Sequence, residues 1–413
     1  MQFHHQRLAN GLQVIGETNS GAKSVALGFF VKTGARDESP ELAGVSHFLE
    51  HMVFKGTPRR TSLDVNREFD AIGANHNAYT SEENTVFYAA LLPEYLPQAV
   101  DILADILRPS LRTDDFDMEK KVILEEISMY EDQPMWSAYD ASKSLFFQKH
   151  PLGNRVLGTN ETVSALTSQQ MRDYFNSRYV ASNISVVAAG QFDFQKLYQL
   201  VEERCAQWEN GPTPRDIPAI GSPSELQVIR KEKVTQEHLM FWMGGPPASS
   251  ELRYAAEVLA GAIGDDTGSR LYWSLIDPGH ADSVDFSYHE YQGAGANLGY
   301  CGGDPDQAAA NLKRYLDVLR EVQQNGITEK EMNLARAKLA SRVIRGNERP
   351  MGRMSSVSFN WNYLNEYRTA DDELASIDAV TLKSIRILLD TYPIDKPTVL
   401  AYGPLESTNI KID

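Results

Sequence analysis

The amino-acid sequence predicts an α+β protein of two homologous domains from an internal duplication, each a mainly antiparallel sheet with helices packed on one face. Two observations point there. The chain repeats itself weakly at about half its length. Each half also runs from apolar strand candidates through helix patterns to a closing strand, an order that suits one sheet with layered helices.

The repeat rests on three matches in the same order. Leu12-Gln13-Val14-Ile15 returns as Leu226-Gln227-Val228-Ile229, an offset of 214. Leu166-Thr167 returns as Val380-Thr381, also at 214. Ile184 to Gly190 returns as Thr398 to Gly403, with the glycines offset by 213. The opening strands are Ser24 to Val31 and His238 to Met243; the closing ones are Ile184 to Ala189 and Thr398 to Tyr402. A stretch rich in Pro and Gly, Glu209 to Pro218, marks the joint. The expected domains are therefore residues 1–210 and 226–413, with 211–225 as linker.

Composition bounds the function. The chain has 413 residues, 42% hydrophobic and 23% charged, with a formal net charge of −16. That charge argues against a nucleic-acid binder, whose contact face must neutralise phosphates. It fits both solubility and the attraction of basic ligands. Cys205 and Cys301 stand far apart with no CxxC partner, so neither a thiolate metal site nor a disulfide framework is expected. No apolar run spans a bilayer, and the first residues lack the apolar core of a signal peptide. A cytoplasmic chain is expected; a mature periplasmic form without its leader would read the same.

The helix from about Ala43 to Phe54 carries the chemistry. At 100° per residue, Val45, Phe48, Leu49, Met52 and Val53 share one side. His47, Glu50 and His51 fall within an arc of about 100° on the other. An i, i+4 spacing stacks two imidazoles where both reach one ion. Glu50 sits beside them, placed to take a proton from a water on that ion. The bland alternative is a solvated polar face, and HxxEH is a short pattern.

A second helix strengthens the metal reading. Thr113-Asp114-Asp115 has the form of an N-cap with acidic first turn, and Pro134 lies just past the end. Phe116, Val122, Ile123, Ile127 and Tyr130 form its apolar face. Glu119 and Glu126 lie inside that face, whereas Glu125 points away to solvent. Carboxylates turned toward a core need a compensating cation, and no lysine or arginine shares this face of the helix. A divalent ion held by His47 and His51 supplies the missing charge. Glu126 is then the third ligand, with a fourth position left open. Glu119 is an auxiliary carboxylate with a catalytic or positioning part; a merely hydrogen-bonded buried acid is the alternative.

These residues resemble the pitrilysin-like, inverted-zincin peptidases of the M16 type, the group that includes the mitochondrial processing peptidase. The match runs through His47-Phe48-Leu49-Glu50-His51-Met52-Val53-Phe54-Lys55-Gly56-Thr57 and Val122-Ile123-Leu124-Glu125-Glu126-Ile127. Gly73-Ala74-Asn75-His76-Asn77-Ala78-Tyr79-Thr80 is similar to that family's edge strand beside the metal. The resemblance implies one Zn2+ per chain and hydrolysis of unfolded peptides in an enclosed chamber. It also implies a dimer of such chains, with substrate added as an extra strand on a sheet edge. Main-chain pairing at an edge grips any extended peptide, and Asn77 and Ala78 are the candidate contacts.

The second half has no copy of the metal motif. The segment expected to match the first metal helix reads Tyr254-Ala255-Ala256-Glu257-Val258-Leu259-Ala260-Gly261-Ala262, with no histidine. After Ser269-Arg270-Leu271, where the family often carries a substrate-binding arginine and tyrosine, this chain has Asp277 and Asp282. Either a related subunit supplies those groups in a heterodimer, or a homodimer uses Arg270, Tyr288 or Tyr291. Gly293-Ala294-Gly295 lies between paired strand candidates and reads as a hairpin turn, not a phosphate loop. Some members of the family are non-catalytic scaffold subunits, and a peptide-holding protein would share every ligand. The complete set of two histidines, base and distal glutamate favours the peptidase.

Overall fold

The computed structural model describes residues 1–221, 223–265 and 267–406. Two sheets organise the chain. The first half forms β1 (Gln2–Arg7), β2 (Gln13–Thr18), β3 (Val25–Val31), β4 (Asn75–Thr80), β5 (Thr85–Leu91) and β6 (Ile184–Gly190). Their order across the sheet is β1-β2-β6-β3-β5-β4. The second half forms β7 (Leu226–Arg230), β8 (Glu237–Gly245), β9 (Ser283–Tyr291), β10 (Ala294–Gly303) and β11 (Thr398–Gly403), ordered β7-β11-β8-β10-β9. Apart from β1, the two orders are the same. In each sheet one neighbouring pair is parallel, β2 with β6 and β7 with β11, and all others are antiparallel. The repeat seen in the sequence is thus a repeat of topology, and each half is a mainly antiparallel α+β layer.

Five helices of the first half matter for the site and its frame: α1 (Val45–Val53), α2 (Ser62–Ala71), α3 (Leu96–Ile106), α4 (Thr113–Glu131) and α5 (Pro134–Phe147). On one face of the first sheet, Val14, Leu27, Phe29, Phe87 and Val186 form a single core with the apolar sides of α1, α3 and α4. In the second sheet, Leu239, Phe241, Val399 and Ala401 do the same with the helices Arg253–Gly264, Pro305–Asn325 and Leu382–Thr391.

Each sheet also has a covered second face. The helices of each half pack on one face as expected, but a single helix from the other half closes the opposite one. Met354, Val357 and Trp361, from the helix Pro350–Leu364, pack against Ile15, Ala26, Phe30, Val86, Val187 and Ala189. Arg353 of that helix donates from Nε to Glu17 of β2 at 2.8 Å, and Trp361 Nε1 donates to Gln13 at 2.8 Å. Gly28 of β3 leaves the room: a Cβ there would come 2.7 Å from Phe30 and 3.0 Å from the Met354 sulfur. In return α5 covers the second sheet. Ala138 lies with Met240 and Leu400, and Ser142 accepts the Trp242 indole N–H at 2.8 Å.

The compact units therefore interleave along the chain. One comprises residues 1–128, 154–216 and 345–367; the other comprises 129–153, 217–344 and the chain from Arg368 onward. The linear division into 1–210, 211–225 and 226–413 differs from these units by the two exchanged segments. Its basis was local composition, which is blind to a helix packing across the duplication. The Gly293 segment is a hairpin turn as expected, with Tyr291 paired to Ala294. Among the described residues no helix is long and apolar enough to cross a membrane.

Replacing Met354 by Ala empties a position that is 1% exposed. The substitution is expected to lower the unfolding free energy by about 2–5 kcal/mol in urea denaturation. An unchanged midpoint would show that the exchanged helix does not hold the first sheet.

Candidate metal centre

Helix α1 owes its start to a glycine and a buried acid. Gly44, at its N-terminus, has φ +94°, and a Cβ there would meet the Leu157 carbonyl oxygen at 2.6 Å. Glycine has no side chain to cap the free N–H groups of a first turn. Glu38 reaches in from the preceding loop instead. Its two oxygens accept from the Gly44 and Ser46 N–H groups, each at 2.7 Å. Burial pushes the Glu38 carboxyl up to about 8, against the pull of those two N–H donors. The helix ends at Phe54, and Gly56 at φ +115° turns the chain away.

The apolar side of α1 goes into the core, so its polar side faces α4. Nε2 of His47 lies 3.8 Å from a Glu126 carboxylate oxygen, and Nε2 of His51 lies 3.6 Å from the same oxygen. One donor atom from each of the three lies within 4.8 Å of the others. Among the described residues no other group of His, Cys, Asp and Glu converges in this way.

The second nitrogen of His51 is also held. Nδ1 stands 3.0 Å from Glu119 Oε1, which places a ring proton there and turns Nε2 toward Glu126. Glu119 is 3% exposed and its other oxygen meets the Lys55 ammonium at 2.5 Å. This corrects one step of the sequence reasoning. Glu119 does have a cationic neighbour, but Lys55 comes from beyond the end of α1 and could not be seen on the face of α4. Val122 is a second correction: it is 44% exposed and belongs outside the apolar face, which is built by Phe116, Ile123 and Ile127. Glu125 is exposed, as expected.

Electrostatics match the geometry. Burial, with the neighbouring His51, pulls His47 down to about 3, so its ring is neutral and able to ligate. Burial also opposes charge on His51, but the Glu119 hydrogen bond and the carboxylates of Glu126, Glu119 and Glu50 outweigh it and raise its pKa. Burial raises Glu126, partly offset by His51. For Glu119 burial is overcome by the hydrogen bonds of His51 and Lys55, and its pKa is lowered. Glu50 is raised by burial, against the hydrogen bond of Thr80. Thr80 Oγ1 donates to Glu50 Oε2 at 2.6 Å. Sequence reasoning missed both Thr80 and Lys55; neither has a spacing that marks it.

The residues fit a zinc ion. Two imidazoles and one carboxylate form the donor set of an open, catalytic type of zinc site. Tetrahedral ligation at about 2.0–2.2 Å sets donor atoms roughly 3.4 Å apart, a few tenths of an ångström inside the two distances from the imidazoles to the Glu126 oxygen. Nδ1 of His47 is buried with no hydrogen-bond partner.

The edge-strand residues lie nearby in the chain. β4 is the last strand of its sheet and pairs on one side only, with β5. Ala78 turns into the core and Asn77 to the exposed side, with its side-chain oxygen on the Ala78 N–H at 2.9 Å. His76 stacks on Phe69 of α2 at 4.0 Å and is not among the convergent donors.

Comparison with known proteins now bears on the chain. Residues 13–160 match the family model described as Insulinase (Peptidase family M16), and residues 165–339 match Peptidase M16 inactive domain. An uncharacterised zinc protease of Streptomyces coelicolor is 32% identical over 97% of this chain and 89% of its own length. The chain belongs to peptidase family M16. The uncharacterised zinc protease YmxG of Bacillus subtilis is 31% identical over 91% of this chain and 92% of its own length. A putative M16-like peptidase from Alicyclobacillus acidocaldarius superposes at TM-score 0.85 with 26% identity, covering 97% of this chain and 98% of that one. A protease from Helicobacter pylori superposes at TM-score 0.90 and 19% identity, over 97% and 99% of the two chains, and speaks for the fold alone.

The M16 inactive-domain match covers the half without a metal motif. There the helix Arg253–Gly264 lies against β9 as α1 lies against β4. It contains no histidine and carries Arg253 and Glu257 one turn apart. Burial pushes Glu257 up to about 7 and Glu290 of β9 up to about 8, with Arg253 pulling both back.

Two outcomes follow from these environments. Glu119→Ala frees the His51 ring and is expected to weaken zinc binding about 10–100-fold in chelator competition; unchanged affinity would show that Glu119 does not orient His51. A carboxyl raised from 4.5 to about 8 leaves stability complete below 4.5 and drains it as pH climbs through 8. Thermal denaturation of Glu290→Gln is thus expected to fall less than wild type between pH 5 and pH 8.5, and parallel curves would refute the assignment.

Proposed function

We propose that this M16 protein is a zinc-dependent endopeptidase acting on extended, unfolded peptides. The observation that carries the reading is the convergence of His47, His51 and Glu126 beside a carboxylate, Glu50, that is tied to an open sheet edge. His47, His51 and Glu126 would hold one zinc ion per chain. When bound, that ion supplies Lewis-acid polarisation of the scissile carbonyl and lowers the pKa of water.

The chain's own groups do the rest. Glu50 takes the proton of the attacking water and passes it to the leaving amine. Burial raises its pKa above the ordinary carboxylate value, the direction that makes it a better proton acceptor. Glu119 orients His51 through Nδ1, acting by way of the ligand. The backbone of β4 around Asn77 and Ala78 receives the peptide as an added strand. With the Ala78 side chain buried, such a peptide would pair with main chain there by displacing the Asn77 side chain from the Ala78 N–H, which suits sequence-tolerant binding.

The complete donor set supports cutting over the scaffold and peptide-holding alternatives. A net charge of −16 supports a preference for basic peptides. For partners, we propose a second related subunit. Arg270 is engaged by Glu331 at 2.6 Å, and the Tyr288 hydroxyl donates to the Pro246 carbonyl at 2.6 Å. Arg270 and Tyr288 thus have occupations within their own domain and Tyr291 is buried, which supports a heterodimer over self-supply.

Zinc-loaded chain incubated with an unstructured basic peptide is expected to cut it, and a chelator to stop it. Glu50→Gln should lower kcat by about 10²- to 10⁴-fold and keep zinc. His47→Ala and Glu126→Ala should lose zinc as well. Retained zinc with no cleavage by wild type, alone or with a related subunit, would leave the holding role in its place. Equal rates on matched acidic and basic peptides would remove the charge preference.

A further inference from the structure

We infer that Thr80 is the positioning residue for Glu50, and that it ties the base to the strand on which a peptide docks. The contact is short and direct, 2.6 Å from Oγ1 to Glu50 Oε2. Thr80 is the final residue of β4, opposite Thr85 of β5. Along a strand, alternate residues share a face, so Thr80, Ala78 and His76 all turn to the side of the sheet where α1 and α2 lie. Ala78 packs into the core shared with α1, and His76 stacks on α2. The last residue on that face is the one whose hydroxyl meets the base.

Two clamps hold this geometry. The turn that follows β4 is bound to the loop before α1: Ala35 N–H donates to the Ser81 carbonyl at 3.2 Å, and Arg36 N–H to the Glu82 carbonyl at 2.8 Å. Glu38, two residues beyond Arg36, grips the first turn of α1. The edge strand and the helix bearing Glu50 are thus fixed to one another at both ends of the Thr80 contact. A carboxylate has several rotamers at α1, and a charge-assisted hydrogen bond selects one. Peptide pairing along β4 orders the same backbone that carries the selecting hydroxyl.

The test uses Thr80→Val, which keeps β-branching and shape but loses the donor, and Thr80→Ser, which restores the donor. Its kinetic arm rests on the peptidase reading; its structural arm does not. In crystals of the zinc-loaded variants, the Glu50 carboxylate is expected to leave its position in Thr80→Val and keep it in Thr80→Ser. On an unstructured peptide, Thr80→Val is expected to lower kcat about 10- to 100-fold, with KM within twofold and zinc content unchanged. Thr80→Ser should retain at least about half of wild-type kcat. An unmoved Glu50 in Thr80→Val overturns the inference, as does wild-type kcat in that variant or an equal loss in both. A displaced Glu50 in a chain that cleaves nothing upholds the positioning contact and overturns the peptidase reading instead.

Discussion

Two carboxylates seven residues apart on one helix bracket a single imidazole, and the site is built around that grip. Seven residues are two turns, a rise of about 10.5 Å. Glu119 at one end meets His51 Nδ1, and Glu126 at the other faces His51 Nε2. The ring is therefore held in orientation by a carboxylate at each nitrogen. His47, one turn earlier on α1, points its own Nε2 at the same Glu126 oxygen. Lys55 pairs with Glu119, while the Glu126 oxygen faces both imidazoles with the carboxylates of Glu119 and Glu50 close by. The unbalanced charge sits where a cation would be held by three donors.

This arrangement depends on α1 being placed accurately, and polar contacts do much of that placing. The helix begins at a left-handed glycine, and its first turn is capped by a carboxylate from outside. The preceding loop is pressed against the β4–β5 turn so closely that a Cβ on Gly34 would come 2.2 Å from the Ser81 carbonyl oxygen. An acid held at a helix N-terminus with two N–H donors is favourable for the helix dipole even where burial disfavours its charge. Strand, loop and helix behave as one frame, and Thr80 and Glu50 meet inside it.

The duplication explains both what is shared and what differs. Each half supplies five strands in the same order, and each lends one helix to the other's sheet. In the second half the helix Arg253–Gly264 sets the buried Arg253 guanidinium near the half-buried carboxylates of Glu257 and Glu290. There a fixed internal cation acts on the carboxylates. Charge is balanced in both halves by different means, and only one retains donors with free lone pairs.

The residues of the centre were legible in the sequence because their signals are local. The i, i+4 histidines, the adjacent glutamate and the seven-residue carboxylate spacing are properties of single helices, whose geometry is regular. Helix and strand identities in each half, and their repetition, were legible for the same reason. Tertiary structure decided what joins one element to another: Lys55 on Glu119, Thr80 on Glu50, Glu38 under α1, and the exchanged helices. One trace of the exchange was present and unread. Val25 to Val31 and Ile184 to Gly190 are buried at every residue and apolar without alternation, the pattern of strands covered on both faces. Periodicity reports that a second face is buried. Which distant helix buries it is a matter of long-range packing, and no local pattern carries that information.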